Sequence, residues 1–278
     1  MLKVAITGPS GLIGSRIIEL LDNDFEFISL DQPAFDITKK DLVFQTITDT
    51  NFDILLHLAA YTNVDGAETN KELVAKINIE GTRHVFEAVM NKGKKMIHIS
   101  TDFIFDGTSP PYFEDAEPNP ISYYGETKYQ AEKIVQGKAM IIRPAYPYRA
   151  KYEIKSDFVK SIRSLLEQNK PISMVTDSTI TPTFIDNIAY ALKYLFNNFS
   201  TQIYHIVGAD SISSYDAGKL IAKTFGYNEN LIQPTTYAQY FNNKAKRPQY
   251  SQIKTKNNTF YKMKTFAEGL ADLKKQIS

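Results

Sequence analysis

Val4-Ala5-Ile6-Thr7-Gly8-Pro9-Ser10-Gly11-Leu12-Ile13-Gly14 decides the reading of this chain. A short β-branched run meets three glycines spaced G-x-x-G-x-x-G, and a helical pattern of Leu12, Ile13, Ile17, Ile18, Leu20 and Leu21 follows. In a strand–turn–helix that meets pyrophosphate each glycine has its own role. Gly8 allows the tight turn, Gly11 lets the backbone approach the phosphates, and Gly14 permits close helix–strand packing. The helix start offers free N–H groups and a positive dipole end. Ser10, Leu12 and Ile13 share the turn and are assigned with the glycines to a dinucleotide. Asp31 ends a second strand, 20 residues after Gly11. A carboxylate there accepts hydrogen bonds from the adenosine ribose and repels a 2′-phosphate, so NAD(P)H binding with NADH favoured is expected. The competing reading of Asp31 is a turn opener before Pro33.

Outward from this turn, apolar runs at 25–30, 53–58 and 96–100 alternate with helical stretches, notably 70–91. The runs lack clean period-2 alternation, which predicts strands buried on both faces of a parallel sheet. The expected fold is α/β, a Rossmann-type doubly wound parallel sheet with a smaller C-terminal α/β lobe. Helices are expected over 156–169, 185–197 and 214–225, and short strands over 171–175 and 202–207. We assign 1–146 to the Rossmann domain, completed by about 172–207, and 147–278 mainly to an interleaved substrate lobe.

Composition narrows the function. In 278 residues, 43% are hydrophobic and 23% charged, the balance of a globular protein. A formal charge of +1 gives no field toward nucleic acid or anionic lipid. The absence of Cys excludes thiolate chemistry and disulfides and fits a reducing, cytoplasmic location. No apolar run reaches the ~18 residues of a membrane span, and the N-terminus has no signal-peptide pattern. His57, His84, His98 and His205 show no ligand spacing; His57 and His98 read as packed core residues, so no metal is expected.

Tyr124 and Lys128 stand one helical turn apart. With 17 Tyr in the chain the spacing alone means little, and Tyr129–Lys133 matches it too. Context separates them. Tyr124 follows the turn Pro118-Asn119-Pro120-Ile121-Ser122 at a helix start, whereas Tyr129 has the surface-like neighbours Gln130 and Glu132. A nearby ammonium is expected to lower a phenol from its ordinary pKa of ~10 and to bind the nicotinamide ribose. Thr101 follows the strand at 96–100, at the sheet edge where ligands bind. Together Thr101, Tyr124 and Lys128 make a carbonyl-reducing site, Tyr supplying the proton.

At this point the chain resembles the extended short-chain dehydrogenase/reductases and, more narrowly, the dTDP-4-dehydrorhamnose reductase group. The resemblance runs through Thr7 to Gly14, His57-Leu58-Ala59-Ala60-Tyr61-Thr62-Asn63-Val64-Asp65, Asn78 with Gly81-Thr82, Ser100-Thr101-Asp102-Phe103-Ile104-Phe105-Asp106-Gly107, Pro118 to Lys128, Pro182-Thr183 and Arg247-Pro248. It implies Thr101, Tyr124 and Lys128 as the catalytic triad. It places Ala59, Ala60, Thr62 and Asn78 on the cofactor, Asp36 and Ile37 at its adenine end, and Val64, Phe103 and Tyr146 on the sugar. Family members usually carry Ser-Trp-x-Tyr-Gly where this chain reads Ala145-Tyr146-Pro147-Tyr148-Arg149, and the segment after Arg247 is altered. Arg247, with Lys244 and Lys246, is either a grip on a nucleotide diphosphate or a surface cluster.

The implied activity is reduction of the C4 ketone of a nucleotide-linked 4-keto-6-deoxy sugar, in dTDP-rhamnose-type biosynthesis, with a homodimer as the candidate assembly. Two other readings stand beside it. One is an epimerase or dehydratase of the same fold; dehydratases follow the catalytic Thr with Asp-Glu, where this chain has Asp102-Phe103. The other is a non-catalytic NAD(P)-binding regulatory subunit.

Overall fold

A computed structural model describes residues 1–277. The first half runs β1 (Lys3–Thr7), α1 (Leu12–Leu21), β2 (Glu26–Leu30), α2 (Lys40–Asp49), β3 (Ile54–His57), α3 (Val64–Thr69), α4 (Lys71–Ala75), a π-helical turn (Lys76–Gly81), α5 (Thr82–Asn91), β4 (Lys95–Ile99), α6 (Tyr123–Val135) and β5 (Met140–Arg143). The second half runs β6 (Pro147–Tyr148), α7 (Phe158–Glu167), β7 (Ile172–Val175), β8 (Thr183–Phe184), α8 (Ile185–Asn197), β9 (Ile203–His205), α9 (Ser214–Phe225), β10 (Ile232–Thr235), α10 (Tyr237–Tyr240) and α11 (Phe266–Ile277).

The central sheet has six parallel strands in the order β2-β1-β3-β4-β5-β9. Alternate strand residues enter two cores. Val4, Ile6, Ile54, Leu56, Ile97, Ile99, Met140 and Ile142 pack with α1 and α8. Ala5, Leu55, Met96 and Ile141 face α2, α5 and α6. Both strand faces are thus apolar, which explains the unbroken apolar runs. The chain reverses direction across the sheet between β1 and β3, the crevice where such folds bind ligands.

Two expectations need refinement. The stretch 71–91 is helical throughout but divides into α4, the π turn and α5, with Asn70 closing α3. The extra residue turns Asn78 toward the loop after β3, and a Cβ at Gly81 would lie 2.7 Å from the Ile37 side chain, which packs onto the glycine. Segment 172–207 also divides. α8 and β9 join the Rossmann layers, because β5 has a free edge that Ile203–His205 occupies. β7 instead pairs in parallel with β10, and β8 with β6, in two small sheets of the C-terminal lobe. That lobe has its own core of Tyr148, Val159, Ile162, Leu166, Phe184, Ile221, Phe266 and Leu270.

Candidate active site

The Gly-rich turn is held from below. Thr7 Oγ1 accepts from Leu58 N and Ala59 N at 3.1 and 3.2 Å and lies 2.8 Å from His57 Nδ1. With both acceptor positions used, its proton goes to Nδ1, leaving His57 Nε2–H to donate to Thr82 Oγ1 at 3.1 Å. This pins Ala59 and Ala60 beside Gly8. Gly8 has φ +65°, and a Cβ on it would come within 3.0 Å of Ala59 N. Gly14 is needed against the turn rather than against a strand: its Cβ would lie 2.5 Å from Gly8 O. Helix α1 opens at Gly11 with no side-chain cap and no acidic residue in its first turn. Its first N–H groups are therefore presented to an external acceptor, and a dinucleotide pyrophosphate fits them.

The flanking assignments separate. Asp31 stands at the end of β2, its Oδ1 accepting from Gln32 N at 3.0 Å. Asp36 Oδ1 accepts from Thr38 N and Oγ1 at 2.9 and 2.8 Å, and the Thr38 N–H bond, above all, holds its carboxyl below the usual range. Ile37 is buried in the core, and its backbone carbonyl meets His84 Nδ1 at 3.0 Å. Asn78, expected on the cofactor, is 1% exposed and fully engaged. Its Oδ1 accepts from Tyr61 N at 2.8 Å, and its Nδ2 reaches Tyr61 O and Thr127 Oγ1 at 3.2 and 3.0 Å. It positions the loop carrying Ala60 and Thr62 instead.

Ser122 caps α6 through Gly125 N at 3.2 Å, directing Tyr124 and Lys128 inward. A Cβ at Gly125 would lie 2.2 Å from Phe103 O, so α6 starts directly against the Thr101 loop. Phe103 meets the Tyr124 ring edge-on at 5.6 Å, and Val64, Ala67, Val74 and Tyr61 complete the wall. Lys128 Nζ donates to Ile99 O at 2.7 Å. Burial brings the Lys128 ammonium down to about 8, with Glu132 pulling upward. Burial pushes the Tyr124 phenol up to about 12, opposed by the neighbouring Thr101 hydroxyl. The expectation of a phenol lowered by Lys128 is not met: Lys128 is tied to a carbonyl, and desolvation raises the phenol. A neutral phenol is the protonation state that a reduction requires.

Asp102 is a site residue that sequence reasoning does not single out. It is 2% exposed; Thr101 Oγ1 donates to its Oδ1 at 3.2 Å, and Ser251 Oγ donates to its Oδ2. Burial raises it to about 6 against those two hydrogen bonds. Ser251 belongs to segment 245–257, which threads the site. Arg247 Nη2 bonds Asp65 Oδ2 at 2.8 Å, and Pro248 closes on Gly107, where a Cβ would lie 2.8 Å from Pro248 Cα. Arg247 also lies over Phe241 at 5.0 Å, so it is a rim residue held in place rather than a free surface cation. Tyr146 sits between Asp102 and this segment with φ 41°, a strained value for a residue with a Cβ. A cavity of about 500 Å³ opens at the rim among Asp65, Glu68, Ile121, Asn243, Lys244 and Lys246.

Beneath the site His57 and His98 stack at 5.6 Å, both buried, as expected for core histidines. Burial and then the Lys128 charge hold His57 down at about 3 and His98 well below its ordinary value. Burial, and then Arg143, hold His205 at about 4. In the unfolded chain these groups bind protons below pH ~6.5 that the folded chain refuses, so each removes about 1.4 kcal/mol per pH unit on acidification. Asp102, raised in the folded state, has the opposite sign between pH ~4 and 6 and offsets part of this loss. The melting temperature should fall by on the order of 10 °C from pH 7 to pH 5 in calorimetry. A flat profile would show that the histidines do not stay neutral.

A Rossmann sheet with a Gly-rich first turn and a buried Tyr–Lys pair beside Thr101 defines an NAD(P)-dependent oxidoreductase of the extended short-chain dehydrogenase/reductase class. A family model described as the RmlD substrate binding domain matches residues 2–278, and the chain belongs to that family. It is 30% identical to a dTDP-4-dehydrorhamnose reductase of Aggregatibacter actinomycetemcomitans over 89% of each chain. A crystal structure of dTDP-4-dehydrorhamnose reductase from Bacillus anthracis in complex with NADP superimposes with a TM-score of 0.92 at 31% identity, covering 99% of this chain and 100% of that one. The crystal structure of a dTDP-4-dehydrorhamnose reductase from Clostridium acetobutylicum gives 0.91 at 28% identity and 99% coverage of both. Among the described residues no cluster of three or more His, Asp or Glu has metal-site geometry, and no helix is long and apolar enough to cross a membrane.

Proposed function

We propose that this protein reduces the C4 ketone of a nucleotide-linked 4-keto-6-deoxy sugar, with dTDP-4-dehydrorhamnose the first candidate, using NADH or NADPH. The observation that carries the reading is a buried Tyr124 beside Thr101 at the C-terminal edge of the sheet. The Gly8–Gly14 turn would hold a dinucleotide, which when bound would supply the hydride for the carbonyl carbon. The Thr101 hydroxyl orients the ketone oxygen, and Tyr124 gives its proton to that oxygen as negative charge develops there. Lys128 shares the buried pocket, its Nζ held on Ile99 O. Val64, Phe103 and Tyr146 shape the sugar side, and the cavity at Lys244 and Lys246 suits a nucleotide diphosphate.

Screening nucleotide 4-keto sugars for NADH or NADPH oxidation tests this directly. Dinucleotide binding without turnover of any such sugar would favour the regulatory-subunit reading. We extend this reading to a cytoplasmic location and a homodimeric state.

Asp31 sets the cofactor preference in this reading. NADH should bind more tightly than NADPH, and Asp31→Ala should narrow the gap by removing carboxylate–phosphate repulsion. Equal affinities of the wild type for the two, by fluorescence titration, would remove the preference and leave the site intact.

A further inference from the structure

The chain between β6 and α7 makes contacts that the proposed chemistry leaves unused. One buried carboxylate gathers its ends: Asp157 Oδ2 accepts from Arg149 N at 3.2 Å and Oδ1 from Lys160 N at 2.9 Å. Residues 150–156 therefore leave and return at nearly one place, as an Ω-loop does. The loop reaches both sides of the dinucleotide groove. The Tyr152 hydroxyl donates to Ser10 O at 2.7 Å, in the Gly-rich turn. Lys155 Nζ donates to Thr62 Oγ1 at 2.9 Å, in the segment after β3. Asp31, at the end of β2, is near enough to raise the Tyr152 phenol, behind the effects of burial and Arg149. At the loop's root, Arg149 spans Leu12 O, Ser15 Oγ and Glu19 on α1 and lies 5.5 Å from the Tyr152 ring.

The charges point one way. Arg149, Lys151 and Lys155 lie along the loop, and its one acid, Glu153, faces Lys160 at 3.6 Å. Lys155 rests on a neutral hydroxyl, a contact that a phosphate oxygen easily outcompetes. We propose that residues 149–155 form a basic strap that closes over a bound dinucleotide, with Lys155 pairing to its pyrophosphate and Tyr152 fastening the strap to Ser10. This rests on Gly8–Gly14 being the dinucleotide turn, as proposed above.

Calorimetric titration of NADH, NADPH and ADP-ribose into the full chain at low and high salt tests the assignment. Lys155→Met should weaken all three by about tenfold and flatten their salt dependence, and Lys155→Arg should restore most of the affinity. Trypsin supplies a readout independent of activity: the strap holds three cleavable cations, and saturating ADP-ribose should protect them. Wild-type affinity in Lys155→Met, or cleavage that ADP-ribose does not slow, would overturn the strap while the dinucleotide site stands. A loss confined to NADH and NADPH would overturn the pyrophosphate assignment, because ADP-ribose carries that group. A wild type that binds none of the three would overturn the dinucleotide reading itself, and the strap with it.

Discussion

Tyr124→Phe leaves dinucleotide affinity unchanged and lowers turnover by ~10²-fold or more, the usual scale for losing a general acid. The substitution removes only the hydroxyl, and the ring keeps its edge-on contact with Phe103. Thr101→Val should also lower turnover with modest effect on binding, although it frees an oxygen of Asp102 as well. Lys128→Ala should impair both, since the ammonium occupies the pocket between Ile99 O and the groove. Tyr129→Phe is the control. Tyr129 packs on the cluster of Ile104, Phe105 and Tyr112, with Lys133 over its ring at 4.4 Å, away from Tyr124. Steady-state kinetics on the best keto sugar, with a parallel binding titration, decide the matter. An essential Tyr129 and a dispensable Tyr124 would place the proton donor on the wrong residue.

Glu132→Ala costs about 3–5 kcal/mol of stability, the range for breaking a buried ion pair from one side. Glu132 holds Arg143 in a two-pronged pair at 2.9 and 2.7 Å, and both side chains are 3% exposed. Arg143 also contacts His205 Nε2 at 3.2 Å and lies over Phe105 at 5.5 Å, joining α6, β5 and β9. Removing the carboxylate leaves a buried guanidinium whose remaining neighbours are neutral or distant. Removing Arg143 as well, as a Leu/Leu double substitution, should recover most of the loss, because two apolar groups need no partner. Urea unfolding measures both variants. A single-mutant loss under about 1 kcal/mol would show that water reaches Arg143.

That pair also marks where reading the sequence falls short. Gln130 and Glu132 look alike as polar neighbours of Tyr129, yet Glu132 points into the protein and Gln130 toward Glu126. Helical periodicity assigns a face but does not reveal that an Arg from β5 meets it. Asn78 shows the same limit. Its place in a recurrent motif is visible, but its role in holding Tyr61 and Thr127 requires the π turn that aims it. Ser251 and Asp65 have no local signature, because their partners Asp102 and Arg247 lie 149 and 182 residues away in the chain.

Local sequence was enough to establish the parallel sheet and the Gly-rich turn after β1, and to place Tyr124 at the start of a capped helix. These rest on short-range physics: apolar runs too uniform for a half-exposed strand, glycines where a Cβ would strike Ala59 or Gly8, and a capped helix start. The protonation of the site, and the route of segment 245–257 across it, came instead from the packing of distant parts of the chain. Desolvation depends on what surrounds a group in space, and it keeps Tyr124 protonated and raises Asp102 where sequence spacing suggested a lowered phenol.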